Sequence, residues 1–237
     1  MARVSMLSVF VAAFVLASGA NAEEKWVSLF DGKTLDGWKI AAHGKAKYAV
    51  KDGTIHGITV EGSPNSFLAS DKEFGDFELE FEVKVHDALN SGVQIRSREK
   101  NAADVDAEAA RTGTKPQGEG GLGRFHGPQV EIESGPGQAG YIYGEATQYG
   151  WLSPEPKKDE KHTHDFIKNG EWNKFRIVAK GPHIQTWIND HQVADLTHDD
   201  IYKTHPKGHI GLQVHGIGAG EGPFDVSWRN IRIRDVK

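Results

Sequence analysis

The chain has 237 residues and a mass of 26.0 kDa, which allows one large domain or two small ones. Hydrophobic residues make up 38% and charged residues 26%, the balance of a folded globular protein. A formal net charge of -5 argues against a nucleic-acid-binding protein, because such proteins need a basic face. The absence of cysteine excludes disulfides, zinc–thiolate centres and a cysteine nucleophile.

The first 22 residues have the features of a secretory signal peptide. The basic residue Arg3 precedes an apolar stretch from Leu7 to Leu16, and Ala20-Asn21-Ala22 is an A-x-A cleavage motif. The apolar stretch is too short to span a bilayer, and no other segment is apolar enough to do so. We therefore expect cleavage near Ala22, a mature chain without a membrane span, and a periplasmic or secreted location.

The rest of the chain has the pattern of short β-strands. Apolar and polar residues alternate in six segments, which predicts strands with one buried and one wet face: 77–85, 93–96, 129–133, 175–178, 184–188 and 210–215. A seventh segment, Phe224 to Arg234, changes phase in the middle, which predicts a β-bulge near Arg229-Asn230. Turn signals separate these strands and composition does not change along the chain. Short strands with turn signals and an even composition predict one all-β domain over residues 23–237, a sandwich or jelly roll.

Two long polar segments, 99–127 and 146–170, interrupt this pattern. The first contains the best helical candidate, Ala102 to Arg111, which has no apolar face to pack. Loops of this length within a domain are commonly lids or rims of a functional site, so we expect both segments to flank a cleft. A solvated insertion is the alternative for each.

Three predicted strands carry hydrogen-bonding side chains opposite their apolar faces. These side chains are Gln94, Arg96 and Arg98, then Gln129, Glu131 and Glu133, then Gln213 and His215. Residues two apart in a strand face the same side, so three such strands in one sheet would form a floor suited to sugar hydroxyls. Aromatic rings for the C–H faces of a sugar could come from Tyr141, Tyr143, Trp151 and Trp187. The outer Glu and Lys residues of segment 77–85 instead predict a solvated convex surface.

Other catalytic signatures are weak in this sequence. His162-Thr163-His164 could bind a metal, but further ligands are not evident, and a solvated loop explains the same residues. The sequence has no G-x-S-x-G nucleophile motif and no G-x-x-x-x-G-K-[ST] phosphate loop. These patterns leave the polar strand faces as the candidate site.

Seven segments, in this order, resemble a known family: Leu29–Trp38, Asn90–Val93, Pro128–Glu131, Gly140–Tyr143, Glu171–Asn173, Gly211–Gly216 and Trp228–Ile231. The family is the 3-keto-disaccharide hydrolase domain, also described as a 3-keto-glucoside 1,2-lyase or 3-keto-2-hydroxy-glucal hydratase domain. The resemblance covers nearly all of residues 26–236, with segment 99–127 enlarged. It implies a concanavalin A-like jelly-roll sandwich of two antiparallel sheets, with Glu131 on the concave face. Two positions depart from the family. Many members have an aromatic residue where this chain has Gln94, and Asn-Gly where it has Asn189-Asp190.

The resemblance further implies an enzyme that acts on 3-keto-glucosides, by elimination and hydration or by net hydrolysis. The C3 ketone acidifies the C2 proton, and either Glu131 or His215 would be the base that removes it. Arg96, or a bound divalent cation, would stabilise the enolate oxygen. The remaining predicted substrate contacts are Gln94, Gln129, Glu133, Tyr143, Trp187 and Gln213.

Two other functions remain open at this point. Glu131 and Glu133 share a face, as the paired carboxylates of laminarinase-like glycoside hydrolases do. A non-catalytic carbohydrate-binding module is the third reading, although clustered Arg, Glu and His residues count against it. All three take a carbohydrate as partner and none involves nucleic acid.

Overall fold

A computed structural model describes residues 25–155 and 160–236, and the predicted signal peptide lies outside these residues. The strands are β1 (Val27–Ser28), β2 (Trp38–Ile40), β3 (Lys47–Lys51), β4 (Thr54–Ile58), β5 (Ser66–Phe74), β6 (Phe77–Val85), β7 (Ser91–Glu99), β8 (Phe125–Ile132), β9 (Ile142–Glu145), β10 (Gly150–Trp151), β11 (Asn173–Lys180), β12 (His183–Ile188), β13 (His191–Thr197), β14 (Gly208–Val214) and β15 (Asp225–Asp235). Helix α1 is Ala102–Thr112 and helix α2 is Asp199–Thr204. All seven predicted strand segments are confirmed.

The strands form two antiparallel sheets. The front sheet has the order β10-β9-β8-β7-β14-β5-β2, and the back sheet has the order β13-β12-β11-β6-β15-β4-β3, with β1 paired to β15. The inward side chains of the two sheets form one core, in which Trp228 is fully buried and the rings of Phe81 and Phe175 stack at 5.3 Å. The predicted all-β jelly-roll sandwich is confirmed.

The bulge predicted from the sequence occurs where it was expected. The pairing of β15 with β6 shifts between Arg229 and Arg232, and Asn230 has a φ of 52°, which confirms the bulge. Asn189 and Asp190 form the turn between β12 and β13, and both have positive φ. This combination is typical of a type I′ hairpin turn, so the departure from Asn-Gly alters only the turn.

The outer face of β6 differs from its prediction. Glu78, Glu80 and Glu82 pair with arginines of β15, and Glu78 also pairs with Arg176 of β11. Glu78 is buried. The prediction of a solvated surface holds for the exposed Lys84 and fails for Glu78. Alternation identifies the outer face of one strand but not the charges of its neighbours.

Helix α1 forms within segment 99–127 although only Val105 is buried. Its N-terminus is held by a reciprocal capping box between Asn101 and Asp104, with hydrogen bonds of 2.8 and 3.1 Å. Arg98 donates to both carboxylate oxygens of the same Asp104, which fixes the helix to β7. Short-range polar contacts therefore replace the apolar face that the sequence lacks.

Near α1, two buried histidines meet edge to face. The rings of His126 in β8 and His205 after α2 have centroids 4.7 Å apart. Burial lowers the pKa of His126 to about 3 and that of His205 to about 4, so both are neutral at physiological pH.

Among residues 25–155 and 160–236, no helix has the length and hydropathy of a membrane span.

Candidate active site

The three strands with polar faces are neighbours at the centre of the front sheet, in the order β8-β7-β14. In one row across them, Gln213 pairs with Gly92, which pairs with Glu131. In the next row Gln94 pairs with Gln129. Alternation places these side chains opposite the core residues of the same strands, on the outer face. We call Gln94, Gln129, Glu131 and Gln213 the floor.

The outer face of the front sheet is concave. Asn65, which precedes β5, has its Nδ2 atom 3.4 Å from Oε1 of Glu145 in β9. β5 and β9 are separated by three strands, which in a flat sheet would hold them about 19 Å apart. Side chains of this length meet only if the sheet curves around the floor.

Most of the amide atoms of the floor are buried without a hydrogen-bond partner among the described residues. Both polar atoms of Gln94 and of Gln213 are in this state, and so is Oε1 of Gln129. A buried polar group without a partner costs free energy, so such groups are uncommon unless water or a ligand satisfies them. Several of them on one concave surface indicate a binding site for a molecule rich in hydroxyl or carbonyl groups.

Glu131 lies at the edge of this set and is buried. Its Oε1 accepts a hydrogen bond of 2.8 Å from Gln129, and its Oε2 has a longer contact of 3.4 Å with Nδ2 of Asn90. Burial, reinforced by the negative charges of Glu145 and Glu133, raises the pKa of Glu131 to about 8. The carboxyl group is therefore mostly protonated at neutral pH, which makes it a proton donor.

Gly92 explains how Gln129 reaches Glu131. A Cβ atom on Gly92 would stand 2.6 Å from Cδ of Gln129, so the glutamine side chain lies directly over the glycine. Any larger residue at this position would displace Gln129 from its hydrogen bond to Glu131.

His215 follows the last residue of β14 and is half-buried. Its Nδ1 is 2.7 Å from the carbonyl oxygen of Gly216. A carbonyl oxygen can only accept, so we assign the proton to Nδ1. The neutral ring then has an unprotonated Nε2, which is the form of a general base.

One wall of the site is aromatic. The rings of Tyr143 in β9 and Trp151 in β10 meet edge to face at 5.3 Å, and Tyr143 pairs with Gln129 across β8 and β9. Burial and the charges of Glu145 and Glu131 raise the pKa of the Tyr143 hydroxyl, so it stays protonated. Glu133 lies just beyond β8, and its Oε1 accepts 2.9 Å from the backbone N–H of Gln138, which leaves it less free to bind a substrate.

Arg96 does not lie in this site. It donates to the carbonyl oxygens of Gly75 and Gly181 at 2.7 and 2.6 Å and to Asp76 at 2.9 Å, all of them in turns. The pairing of β7 with β8 shifts between Gln94 and Arg98, and Arg96 has a φ of 50°, so the alternation that predicted its direction fails. The catalytic role predicted for Arg96 is not supported by its position.

Trp187 is also misplaced by the sequence prediction. It lies in β12 of the back sheet, where its ring packs 4.2 Å from Cζ of Arg176. Its neighbours Thr186 and Ile188 are buried, so Trp187 faces away from the core on the side opposite to the floor. The pattern of β12 correctly gave an outward ring, but a sequence does not say which sheet a strand joins.

The histidine pair His162 and His164 does not form a metal centre. Nε2 of His164 is 2.8 Å from the carbonyl oxygen of Ala139, and its ring stacks on Phe166 at 4.7 Å. Within residues 25–155 and 160–236, no group of three or more His, Asp or Glu side chains is arranged to hold a metal ion. Among these described residues, no cluster of His and carboxylate side chains therefore fits the divalent cation that the sequence left open.

Four residues at the site were not predicted: Asn65, Asn90, Arg124 and Glu145. Asn90 begins one of the family-like segments, and Glu145 has the same strand parity as Tyr143, so both had a readable signal. Arg124 forms an ion pair with Glu145 and ends a glycine-rich segment without periodicity. No sequence pattern gives its direction.

These features define a class, the lectin-like jelly-roll proteins with a polar carbohydrate-type site on the concave sheet. The chain belongs to the 3-keto-alpha-glucoside-1,2-lyase-like domain family, whose sequence profile matches residues 25–234. It is thus a member of a family of carbohydrate-active enzymes.

A relative from Bacteroides thetaiotaomicron, named 3-keto-disaccharide hydrolase, is 25% identical over 250 residues, which cover 88% of this chain and 78% of the relative. Two solved structures of candidate glycosyl hydrolases from Parabacteroides distasonis share the fold. One is 19% identical with a TM-score of 0.56 and covers 94% of this chain and 99% of its own. The other is 20% identical with a TM-score of 0.54, covering 90% and 100%.

Proposed function

We propose that the protein cleaves 3-keto-glucosides by elimination followed by hydration, which together give net hydrolysis of the glycosidic bond. The observation that carries this proposal is the buried carboxyl of Glu131 beside a row of unpartnered amides on a concave surface. Family membership and the name of the Bacteroides relative support the same substrate class.

In the proposed reaction His215 is the base and Glu131 is the acid. Nε2 of His215 removes the C2 proton, and the C–H electrons form a C2–C3 double bond while the carbonyl electrons move to the C3 oxygen. When the C3 carbonyl re-forms, a C1–C2 double bond appears and the C1–oxygen bond breaks. Glu131 gives its proton to the leaving oxygen. Water then adds to C1 and a proton returns to C2.

The floor holds the sugar during these steps. The amides of Gln94, Gln129 and Gln213 offer both donors and acceptors, which matches hydroxyl groups that also do both. Tyr143 and Trp151 provide apolar ring surface for C–H groups. The sequence left either Glu131 or His215 as the base. A base must be unprotonated, and Glu131 is mostly protonated at neutral pH, so the proposal assigns the base to His215 and the acid to Glu131.

A direct test combines turnover with solvent isotope exchange. The protein is given a 3-keto-glucoside, as either anomer, and the parent glucoside; turnover of the keto sugar is expected. In heavy water the His215→Ala variant should lose both C2 deuterium exchange and cleavage. Glu131→Gln should keep exchange and lose cleavage by a factor of ~100–10,000. Glu80→Gln and His183→Ala on the back sheet are matched controls and should keep full activity. Exchange that survives in His215→Ala would remove this residue as the base.

A second candidate, an ordinary glycoside hydrolase, is favoured by one contact. Nδ2 of Asn90 is 3.4 Å from Oε2 of Glu131 and 3.5 Å from Oε2 of Glu133. The two carboxyl oxygens are therefore at most about 7 Å apart, a range that includes the ~5–5.5 Å of retaining enzymes. Turnover of the parent glucoside would support this candidate, and binding of either sugar without turnover would indicate a binding module.

We also propose that the protein acts outside the cytoplasm after removal of residues 1–22, on the sequence features of that segment. Sequencing the N-terminus of protein recovered from the periplasm or medium is the test. A recovered chain that still begins at Met1 would contradict it.

A further inference from the structure

Arg124 contacts both sides of the concave face of the front sheet. Its side chain pairs with Glu145 of β9, and its Cζ is 5.7 Å from the ring centroid of Phe67 in β5. Phe67 is in register with Gln213, and three strands lie between β5 and β9. A guanidinium that contacts one residue of β5 and one of β9 must pass above the strands between them.

The pair is continuous with Asn65 on the far side of the floor. Oε1 of Glu145 also accepts from Nδ2 of Asn65, and Oδ1 of Asn65 accepts 2.9 Å from the backbone N–H of Gly216. Asn65, Arg124 and Glu145 thus form a strap from one side of the concave face to the other. The side chains of Arg124 and Glu145 are only 13% and 10% exposed. The strap crosses the face on which the outward-facing floor amides are buried.

The chemistry of Arg124 suits the charge that develops in the reaction. Elimination from a 3-keto sugar places negative charge on the C3 oxygen, and preorganised donors at that position lower the barrier. A guanidinium stays cationic and presents several N–H groups in one plane. Arg96, which the sequence assigned to this task, is bonded to distant turns. Arg124 is held by a carboxylate, so it can exchange one anionic oxygen for another.

We propose that Arg124 is the oxyanion-binding catalytic residue and that Glu145 holds it over the floor until the substrate's C3 oxygen takes its place. This inference rests on the proposed function. When the carbonyl electrons move to the C3 oxygen, an N–H of Arg124 donates to that oxygen. The bond is released when the carbonyl re-forms and the leaving group departs.

The oxyanion role of Arg124 is tested with Arg124→Lys and Arg124→Ala on a 3-keto-glucoside. Loss of an oxyanion donor typically lowers kcat by ~100–1,000-fold, and Arg124→Lys should show this fall with little change in melting temperature. Arg176→Lys is the matched control, because Arg176 pairs with Glu78 on the back sheet. Full kcat in folded Arg124→Lys would overturn the catalytic role.

The strap is tested without turnover, because the chain has no cysteine. Gln213→Cys places one thiol under the strap, and Ser91→Cys places one on the buried core side of β7. Glu145→Gln should speed maleimide labelling several-fold at the first position and not at the second. Gln94→Cys replaces Gln213→Cys if that variant does not fold. No change, or equal acceleration at both positions, would overturn the strap.

The two tests separate the inference from the function beneath it. If Glu145→Gln speeds labelling in a protein that cleaves no 3-keto-glucoside, the proposed function and the oxyanion role are both overturned, and only the strap remains. Cleavage by the wild type with full kcat in Arg124→Lys would overturn the oxyanion role alone.

Discussion

Glu131 owes its chemistry to its surroundings. A carboxyl group at this depth pays desolvation on ionising, and the two amides that donate to it do not offset that cost. The neighbouring carboxylates Glu133 and Glu145 oppose a further negative charge. The same residue type on the back sheet, such as Glu80, pairs with arginine instead.

The pKa of Glu131 predicts how stability depends on pH. The folded protein keeps this proton up to about pH 8, whereas an ordinary glutamate loses it near 4.5. Between these values the folded state binds more protons than the unfolded state, so stability falls as pH rises. Each unit of raised pKa corresponds to about 1.4 kcal/mol. Relative to Glu131→Gln, the wild type should lose unfolding free energy from pH 5 to pH 8 in urea titrations; parallel curves would contradict the raised pKa.

At the scale of single residues, alternation was sufficient for the regular strands. It placed Gln129, Glu131 and Gln213 on the outer face because their strands are unbroken there. It failed for Arg96 because the bulge in β7 redirects this side chain toward the turns at Gly75 and Gly181. Arg124 had no pattern to read, since its direction comes from Glu145 and Phe67, which are distant in sequence.

At the scale of elements, Arg96 joins two hairpin turns to β7. Gly75 and Asp76 form the turn between β5 and β6, and Gly181 lies in the turn between β11 and β12. The backbone N–H of Gly181 also donates to Asp76 at 2.9 Å. A single buried guanidinium therefore fixes both turns relative to the front sheet.

Removing Arg96 should affect stability and leave chemistry intact. Arg96→Ala leaves two carbonyl groups and Asp76 without their donor, and we expect a loss of about 2–4 kcal/mol in unfolding free energy. Arg98→Ala removes an arginine that is more exposed than Arg96 from its pair with Asp104, and it should cost about 1 kcal/mol or less. Denaturant titration and kcat are measured on the same samples. A large fall in kcat with unchanged stability would return Arg96 to the active site.

Element boundaries followed the sequence where periodicity was strong and departed from it in the long segments. Segment 99–127 contains α1, whose capping box could be read from Asn101 and Asp104 although no apolar face supported a helix. Segment 99–127 approaches the concave face through Arg124, which contacts Phe67. A local sequence pattern does not contain a contact between residues this far apart in the chain. The expectation that both long segments flank a cleft agrees with the positions of Arg124 and Trp151 and awaits a functional test.

At the scale of the whole molecule, the two outer faces serve different purposes. In the part of the chain that the structure describes, the front face presents amides without partners and the protonated carboxyl of Glu131. The back face is a ladder of ion pairs on which tryptophans stack, including Trp172 at 4.1 Å from Cζ of Arg229. Every carboxylate of that ladder on β6 already has an arginine partner.

Tryptophan substitutions should separate the two faces. Trp151→Ala removes a wall of the site and should raise KM about tenfold, equivalent to ~1.4 kcal/mol of aromatic contact. Trp187→Ala should leave kcat and KM unchanged and cost about 0.5–1 kcal/mol of stability through its lost contact with Arg176. Kinetics and melting curves of both variants check this. A raised KM in Trp187→Ala would place substrate on the back sheet.

The position of β14 between β7 and β5 has a consequence for how the protein folds. The hydroxyl of Ser91 donates to the carbonyl oxygen of Gln213 across 122 residues of chain, so the floor is closed by one of the last strands to be synthesised. Pairings of this sequence separation are slow to form, in the range of milliseconds to seconds. Until then β5 and β7 each expose an unpaired edge that can pair with another chain. A chain that ends before Gly208 therefore has two aggregation-prone edges in place of a sugar site.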